Sequence, residues 1–310
     1  MAGATRSTIA RVPGGRGRKS LDRHGLPGFA FTLPFVALFL AVFVAPLLYA
    51  LYLSLFREQL LGGSTFVGLD NYAEGLEDEQ FLSGVGRVAL LVLVQVPVML
   101  VLALVFALII DSGRLRFAGL FRFGIFVPYA VPTVIAALMW GFLYGRDFGP
   151  IADLADRLSI GAPNFLGERT ILWSIANVAT WTFTGYNMIV FLTALRAVPN
   201  ELYEAAAVDG AGALRTAWYV KLPLLRPAAL VCTIFSVIGV LQLFAEPQIF
   251  SAIAPQVIGK AYTPNLYVYN LAFADQRLNY AAALSFLLGA VVFVASFLVV
   301  SAFRSHGGPR

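Results

Sequence analysis

Residues 199–227 read PNELYEAAAVDGAGALRTAWYVKLPLLRP, a long segment punctuated by polar residues and set between two apolar runs of this 310-residue chain. Asn200 is placed to cap a short helix running from Glu201 to Val208, with acidic Glu201 and Glu204 in its first turns near the positive end of the helix dipole. Gly210, directly after Asp209, can take the positive φ of a sharp turn, and a second short helix is expected from there towards Tyr219. Pro223 and Pro227 are expected to stop it. The stretch therefore reads as a compact helix-turn-helix knob. Its small residues Ala205, Ala206, Ala207, Ala211, Gly212 and Ala213 leave faces that another protein can approach closely.

What flanks the knob decides the environment. Hydrophobic residues make up 59% of the chain and charged residues only 13%, and the mean hydropathy is +0.79. Water-soluble domains carry about a quarter charged residues, so the chain reads as an all-α membrane protein. Six apolar runs, near 29–56, 84–110, 123–144, 170–195, 228–250 and 280–303, each reach the length of about 20 residues that a transmembrane helix needs. The first is too long for the apolar core of a signal peptide and reads as retained. A basic tail over residues 1–28, a six-helix region over 29–303 and a short tail over 304–310 complete the plan. Lys and Arg number 15 on the side of the knob and the termini against 7 on the other, which puts the knob and both termini in the cytoplasm. The basic residues of the first tail fix this topology and touch anionic lipid.

Several chemistries are excluded by the residues themselves. The two histidines, His24 and His306, lie in the terminal tails, and the single Cys232 sits inside an apolar run. No intramembrane histidine chemistry, disulfide framework or cysteine metal site can be built from them. GGRGRKS in the first tail has Arg18 where a phosphate-binding loop needs glycine, and Gly259-Lys260 is followed by Ala261, so no Walker motif is present.

Within the spans, Pro128 and Pro132 lie four residues apart and should bend or partly unwind the third helix, as in helices that border transport cavities. The fourth carries Trp173, Asn177, Thr180, Trp181, Thr182, Thr184, Tyr186 and Asn187. These groups either bond between helices or line a wet path, where rings stack on a sugar and amides bind its hydroxyls. Gln242 and Glu246 precede Pro247 in the fifth span, and Glu246 lies towards its external end as an interface carboxylate or as part of the mouth of a path. Glu74, Glu77, Asp78 and Glu79 form a solvated acidic face.

The spacing in the knob resembles the Glu-Ala-Ala loop of ABC-importer permeases. Glu204-Ala205-Ala206 is followed after three residues by Gly210, and nine residues later come Val220, Leu222 and Pro223, with valine in place of the usual isoleucine. FVGLDNY at 66–72 is similar to the family segment F-x-G-L-x-N-[YF], and Arg122, Pro128, Pro132 and Trp140 resemble its proline stretch with Phe126 displaced. Tyr269, Phe273, Tyr280, Ala281, Ala283 and Ser285 resemble the approach to its last helix, although the Gly-Gly-Pro turn is missing. The resemblance is to carbohydrate-type permeases, such as those of maltose and glycerol-phosphate importers. It implies a type I importer transmembrane domain of six helices that is not itself an enzyme and needs no cofactor, metal or nucleic acid. It also implies four kinds of partner: a second homologous permease, two ATP-binding cassette ATPases, an extracytoplasmic solute-binding protein, and a sugar, oligosaccharide or polyol phosphate as substrate. In this family the loop docks into a groove on each ATPase and the pore alternates its access. By that resemblance Glu204, Ala205, Ala206, Asp209, Gly210, Leu222 and Pro223 couple the pore to the ATPase. Trp181, Tyr186, Asn187, Gln242 and Glu246 are the candidates for the substrate path. A secondary transporter would need coupling-ion groups within the spans and usually an internal repeat, and neither stands out.

Overall fold

The structure, a computed structural model, describes residues 25–59, 62–146, 149–161 and 163–305. Most of the basic tail with His24, and the last five residues with His306, lie outside the described residues. The chain divides into two compact units, residues 1–50 and 51–310. The first holds α1 (Gly25–Phe39), which passes through one π-helical turn, Leu40–Val44, into α2 (Ala45–Ser54), whose residues from 51 on are counted with the second unit. Phe35, Phe39 and Phe43 stack along it at the helical spacing of four, with centroids 6.2 and 5.3 Å apart.

The larger unit begins with a two-stranded hairpin, β1 (Phe56–Glu58) and β2 (Ser64–Phe66), with Arg57 opposite Thr65. Apart from this short ribbon the described elements are all helical, in line with the all-α expectation. The helices then follow as α3 (Asp70–Glu77), α4 (Glu79–Asp111), α5 (Ala118–Ala130), α6 (Thr133–Leu143), α7 (Pro150–Arg157) and α8 (Ile171–Arg196). After them come α9 (Asn200–Val208), α10 (Ala213–Thr216), α11 (Leu222–Leu224), α12 (Arg226–Leu241), α13 (Ala245–Ile253), α14 (Pro264–Phe273) and α15 (Leu278–Ser305). Among the described residues five helical stretches are long and apolar enough to cross a membrane, and α5 with α6 add a sixth if taken as one span bent by 98°.

The core is a set of helix-on-helix contacts organised around α4 and α8. Val88, Leu91 and Val96 of α4 share a buried cluster with Ile171 and Ile175 of α8. Nearer the knob, Ala103 and Ala107 meet Met188, Leu192 and Leu195. The alanines allow the two backbones to come close, as small residues do wherever apolar burial alone cannot drive helices together.

Two spans are broken, each for a local reason. Val131 is extended at ψ 125°, as a residue before proline tends to be, and Pro132 then opens α6. Pro128 stays inside α5, so only the second proline breaks the rod. The fifth span, read from the sequence as continuous, is interrupted between α12 and α13 at Gln242, Leu243 and Phe244. The buried Thr263 hydroxyl donates to the freed carbonyl of Leu243 at 3.1 Å, which satisfies a group that lipid could not.

The hairpin end is held by polar side chains. Gly68 has φ +58°, and the amide of buried Asn71 donates to the carbonyls of Ser54 and Phe56 at 2.9 and 2.8 Å, which gives the glycine and asparagine of FVGLDNY a structural role. The expected solvated acidic face is corrected in part. Glu74 pairs with Arg57 at 2.7 Å and Arg277 at 3.1 Å. Asp78 caps α4 by accepting from the backbones of Gln80 and Phe81, and it also accepts from the hydroxyls of Tyr267 and Tyr280 at 2.9 and 2.8 Å. Partial burial would raise the pKa of this carboxyl, but the bonds from Phe81, Tyr280, Tyr267 and Gln80 outweigh it and hold the group below its usual value of 3.8. The Tyr267 phenol is pushed up to about 12 by burial and by its bond to Asp78. A carboxyl depressed in the fold contributes stability above its unfolded pKa and loses it as pH falls through the folded one. Asp78→Asn is therefore expected to destabilise the protein by about 2 kcal/mol at neutral pH. It should also flatten the decline below pH 3.8, as read by thermal unfolding in detergent across pH.

Candidate functional site

The knob forms as a unit at the end of α8. Leu195 closes the buried cluster there, and Pro199 with ψ 138° turns the chain into α9. Asn200 is the first residue of α9 and makes no side-chain cap, so the expected capping role is corrected. The end of α9 is closed by Gly210 at φ +73°, with Gly210 N–H donating to Ala207 O at 3.0 Å and Ala211 N–H to Ala206 O at 2.9 Å. That pair of bonds around a left-handed glycine is a Schellman motif, so the glycine is required by the turn itself.

Beyond it the prolines act otherwise than the sequence suggested. α10 runs through a π turn, Ala217–Lys221, into α11, and α12 follows almost at once with Pro227 in its first turn. Pro223 follows the π turn with only Leu222 between them, and the last bond of the turn joins Leu222 N–H to Ala217 O. The first span shows the same order of π turn, one residue and proline, at Leu40–Val44, Ala45 and Pro46. Widening the turn accommodates a ring that would otherwise press on a carbonyl four residues back. The second half of the knob therefore leads into the fifth span without a stop.

Glu204, Ala205, Asp209, Gly210 and Pro223 are exposed, while Ala206 and Leu222 are half-buried. Around them the knob shows Val208 at 88% exposure, Leu214 at 85%, Tyr219 at 73% and Trp218 at 66%. Sequence reasoning passed over these four. Apolar groups this exposed beside a carboxylate have the make-up of a surface that packs against another protein.

A cleft of about 230 Å³ opens between α4, α5, α8 and α12 beside the break of the fifth span. Tyr129 and Tyr186 stack across it with centroids 5.1 Å apart, and Phe183 meets Tyr129 edge-on at 6.0 Å. Gln95, Met99, Asn187, Phe235, Ser236 and Leu243 complete much of the wall. Buried Asn187 donates to Phe183 O at 3.1 Å. The other polar groups of α8 mostly turn inward on their own helix: Thr182 and Thr184 donate to the carbonyls of Val178 and Thr180, and Asn177 reaches the hydroxyl of Tyr144 on the neighbouring segment.

Of the five path candidates, Tyr186 and Asn187 line this cleft. Trp181 packs edge-on against Trp140 at 5.8 Å within the core, and Gln242 is exposed in the break. The reading of Glu246 as a solvated interface carboxylate is corrected, since it is 3% exposed in the first turn of α13, where the helix dipole favours an acid, and it does not line this cleft. Gln95, Tyr129 and Phe183 were missed, because an aromatic or amide in an apolar run gives no sign of the side it faces.

A larger, polar hollow of about 780 Å³ lies at the hairpin end, with Arg87, Glu168, Arg169, Trp173 and Lys260 on its walls. Arg87 there lies over the Tyr262 ring at 4.9 Å and donates to the Tyr262 carbonyl at 3.2 Å. Among the described residues no group of His, Cys, Asp and Glu is placed to hold a metal ion.

Residues 79–310 match the family model described as "Binding-protein-dependent transport system inner membrane component". The chain is 34% identical over 297 residues to the lactose transport system permease protein LacF of Rhizobium radiobacter, covering 93% of this chain and 98% of that one. It is 31% identical over 336 residues to the diacetylchitobiose uptake system permease protein NgcF of Streptomyces coelicolor, covering 98% and 92%. In fold it is similar to a chain from the crystal structure of a bacterial ABC transporter involved in the import of the acidic polysaccharide alginate. The TM-score is 0.80 at 18% identity, over 91% of this chain and 96% of that one. With five or six spans, a knob between α8 and α12 and a family match from α4 onward, the chain belongs to the binding-protein-dependent transport system inner membrane components and is the multi-pass, non-catalytic permease subunit of such an importer.

Proposed function

We propose that this permease imports a sugar or oligosaccharide, or a polyol phosphate, and that its knob receives the drive of a separate ATPase on the cytoplasmic side, where both termini lie. The observation that carries the reading is the knob itself. A glycine-closed turn and exposed Val208, Leu214, Trp218 and Tyr219 surround Glu204, with the family spacing kept over 204–223. A second, related permease completes the passage, and each of the two chains seats one of two ATPases. ATP binding draws the knobs together and opens the passage towards the loaded binding protein, for which the polar hollow at the hairpin end is a fitting platform. Hydrolysis resets it inward.

The substrate class follows from the cleft. Aromatic faces at Tyr129, Phe183 and Tyr186 beside amides at Gln95 and Asn187 suit a sugar, which offers a flat apolar face and a rim of hydroxyls. The relatives named above carry lactose and diacetylchitobiose in their own descriptions, in agreement with this chemistry. The test is uptake of labelled disaccharide into proteoliposomes holding this chain, its partner permease, the ATPase and the binding protein. Uptake that requires both ATP and the binding protein supports the reading, whereas uptake driven by an ion gradient without ATP overturns it.

Tyr186→Ala removes a ring face worth about 1 kcal/mol in stacking and is expected to lower uptake roughly fivefold. Thr182→Val, whose hydroxyl is turned onto its own helix, should leave uptake close to wild type.

A further inference from the structure

The knob is tied to the bundle by one small cluster of side chains. Lys221, at the end of the π turn, forms an ion pair with Asp111, the last residue of α4, and the two side chains are only 15% and 14% exposed. The Lys221 ammonium also lies 5.1 Å above the ring of Tyr203 on α9, and the Tyr203 hydroxyl donates to Leu195 O near the end of α8 at 3.3 Å. Both halves of the knob thus close on the ends of α4 and α8, and α12 continues directly from the second half. Asp111 is poorly placed on its own, since an anion at a helix C-terminus opposes the dipole, and Lys221 supplies the cation that makes the position favourable. The elements gathered here contribute Gln95 and Met99 from α4 and Phe183, Tyr186 and Asn187 from α8 to the wall of the cleft.

We infer that Asp111, Lys221 and Tyr203 form the joint through which displacement of the knob reaches the walls of the cleft. The inference rests on the knob being the seat of the ATPase. Lys221 and Asp111 are positioning residues that touch neither substrate nor nucleotide. They hold the knob and the α4–α8 pair as one body, so that a push on the knob moves the cleft instead of bending the linker after Arg196.

The experiment measures substrate imported per ATP hydrolysed in the reconstituted importer, together with co-purification of the ATPase, for Asp111→Asn, Lys221→Met and the charge swap Asp111→Lys with Lys221→Asp. Each single variant is expected to retain the ATPase and its hydrolysis while import per ATP falls roughly tenfold, and the swap should recover most of the loss. Lys221→Arg, which keeps the charge and the ring contact, should stay near wild type and carries the test if Lys221→Met does not accumulate. Unchanged import per ATP in the single variants overturns the joint, as does an equal loss in the singles and the swap. Failure of the ATPase to co-purify with the wild-type chain overturns the coupling reading itself, a result distinct from either.

Discussion

Gly185→Val is expected to abolish accumulation of folded permease. A Cβ at this position would meet the carbonyl oxygen of Ile125 at 2.1 Å and the Cα of Phe126 at 2.8 Å. Both are backbone atoms of α5, so no rotamer change relieves the contact, and α5 would have to lift from α8 along a line buried on the α8 side at Thr184, Asn187 and Met188. Overpacking of this kind costs about 3 kcal/mol or more, a large share of the stability of any domain. Tyr129 on α5 would leave its stack with Tyr186 as well. Gly289→Ala is the matched control, because an added Cβ there meets nothing within 4 Å. Detergent extraction followed by size-exclusion chromatography should show a sharp monodisperse peak for the control and aggregate or no protein for Gly185→Val. A well-folded Gly185→Val protein would mean that α5 and α8 do not pack as described.

The second large effect falls on the knob and leaves the bundle intact. Glu204→Lys reverses an exposed charge one helical turn before the exposed Val208. At a central contact such a reversal replaces an attraction by a repulsion, and transport is expected to fall roughly 100-fold. Gly210→Val acts by another route. Its backbone sits at φ +73°, where a β-branched residue is strained, and the two bonds that close α9 would open. Both variants should reach the membrane at wild-type levels with unchanged thermal unfolding of the bundle, while the ATPase is lost on purification. Retention of the ATPase with normal uptake would remove the knob from the coupling path.

The positions of the spans were legible because roughly 20 apolar residues in a row admit few other readings, and the knob was legible because polar residues and a glycine interrupt that pattern at fixed spacing. The third-span break was foreshadowed by Pro132, though the extended Val131 carries it and Pro128 does not. What stayed hidden has a common cause. Core-facing and lipid-facing positions are both apolar, so nothing in the run around Gln95 or Phe183 marks the side with the cleft. The fifth-span break was signalled only indirectly by Pro247, which has no N–H for the Leu243 carbonyl four residues back, and the hydroxyl that takes its place belongs to Thr263, twenty residues further along the chain from Leu243. The burial of Glu246 was hidden because a carboxylate in an apolar run gives no sign of which neighbours the fold packs around it. Asp78 looked like one acid among four, and only the tertiary fold brings Tyr267 and Tyr280 to it.

The right-angle turn between α5 and α6 leaves the two halves with different companions, since α5 lies along α8 while α6 lies along α13. A straight rod in this place would move as one piece, so that a shift of its contact with α8 would be passed on directly to its contact with α13. Split at Val131 and Pro132, each half can shift with its own companion while the other stays in place.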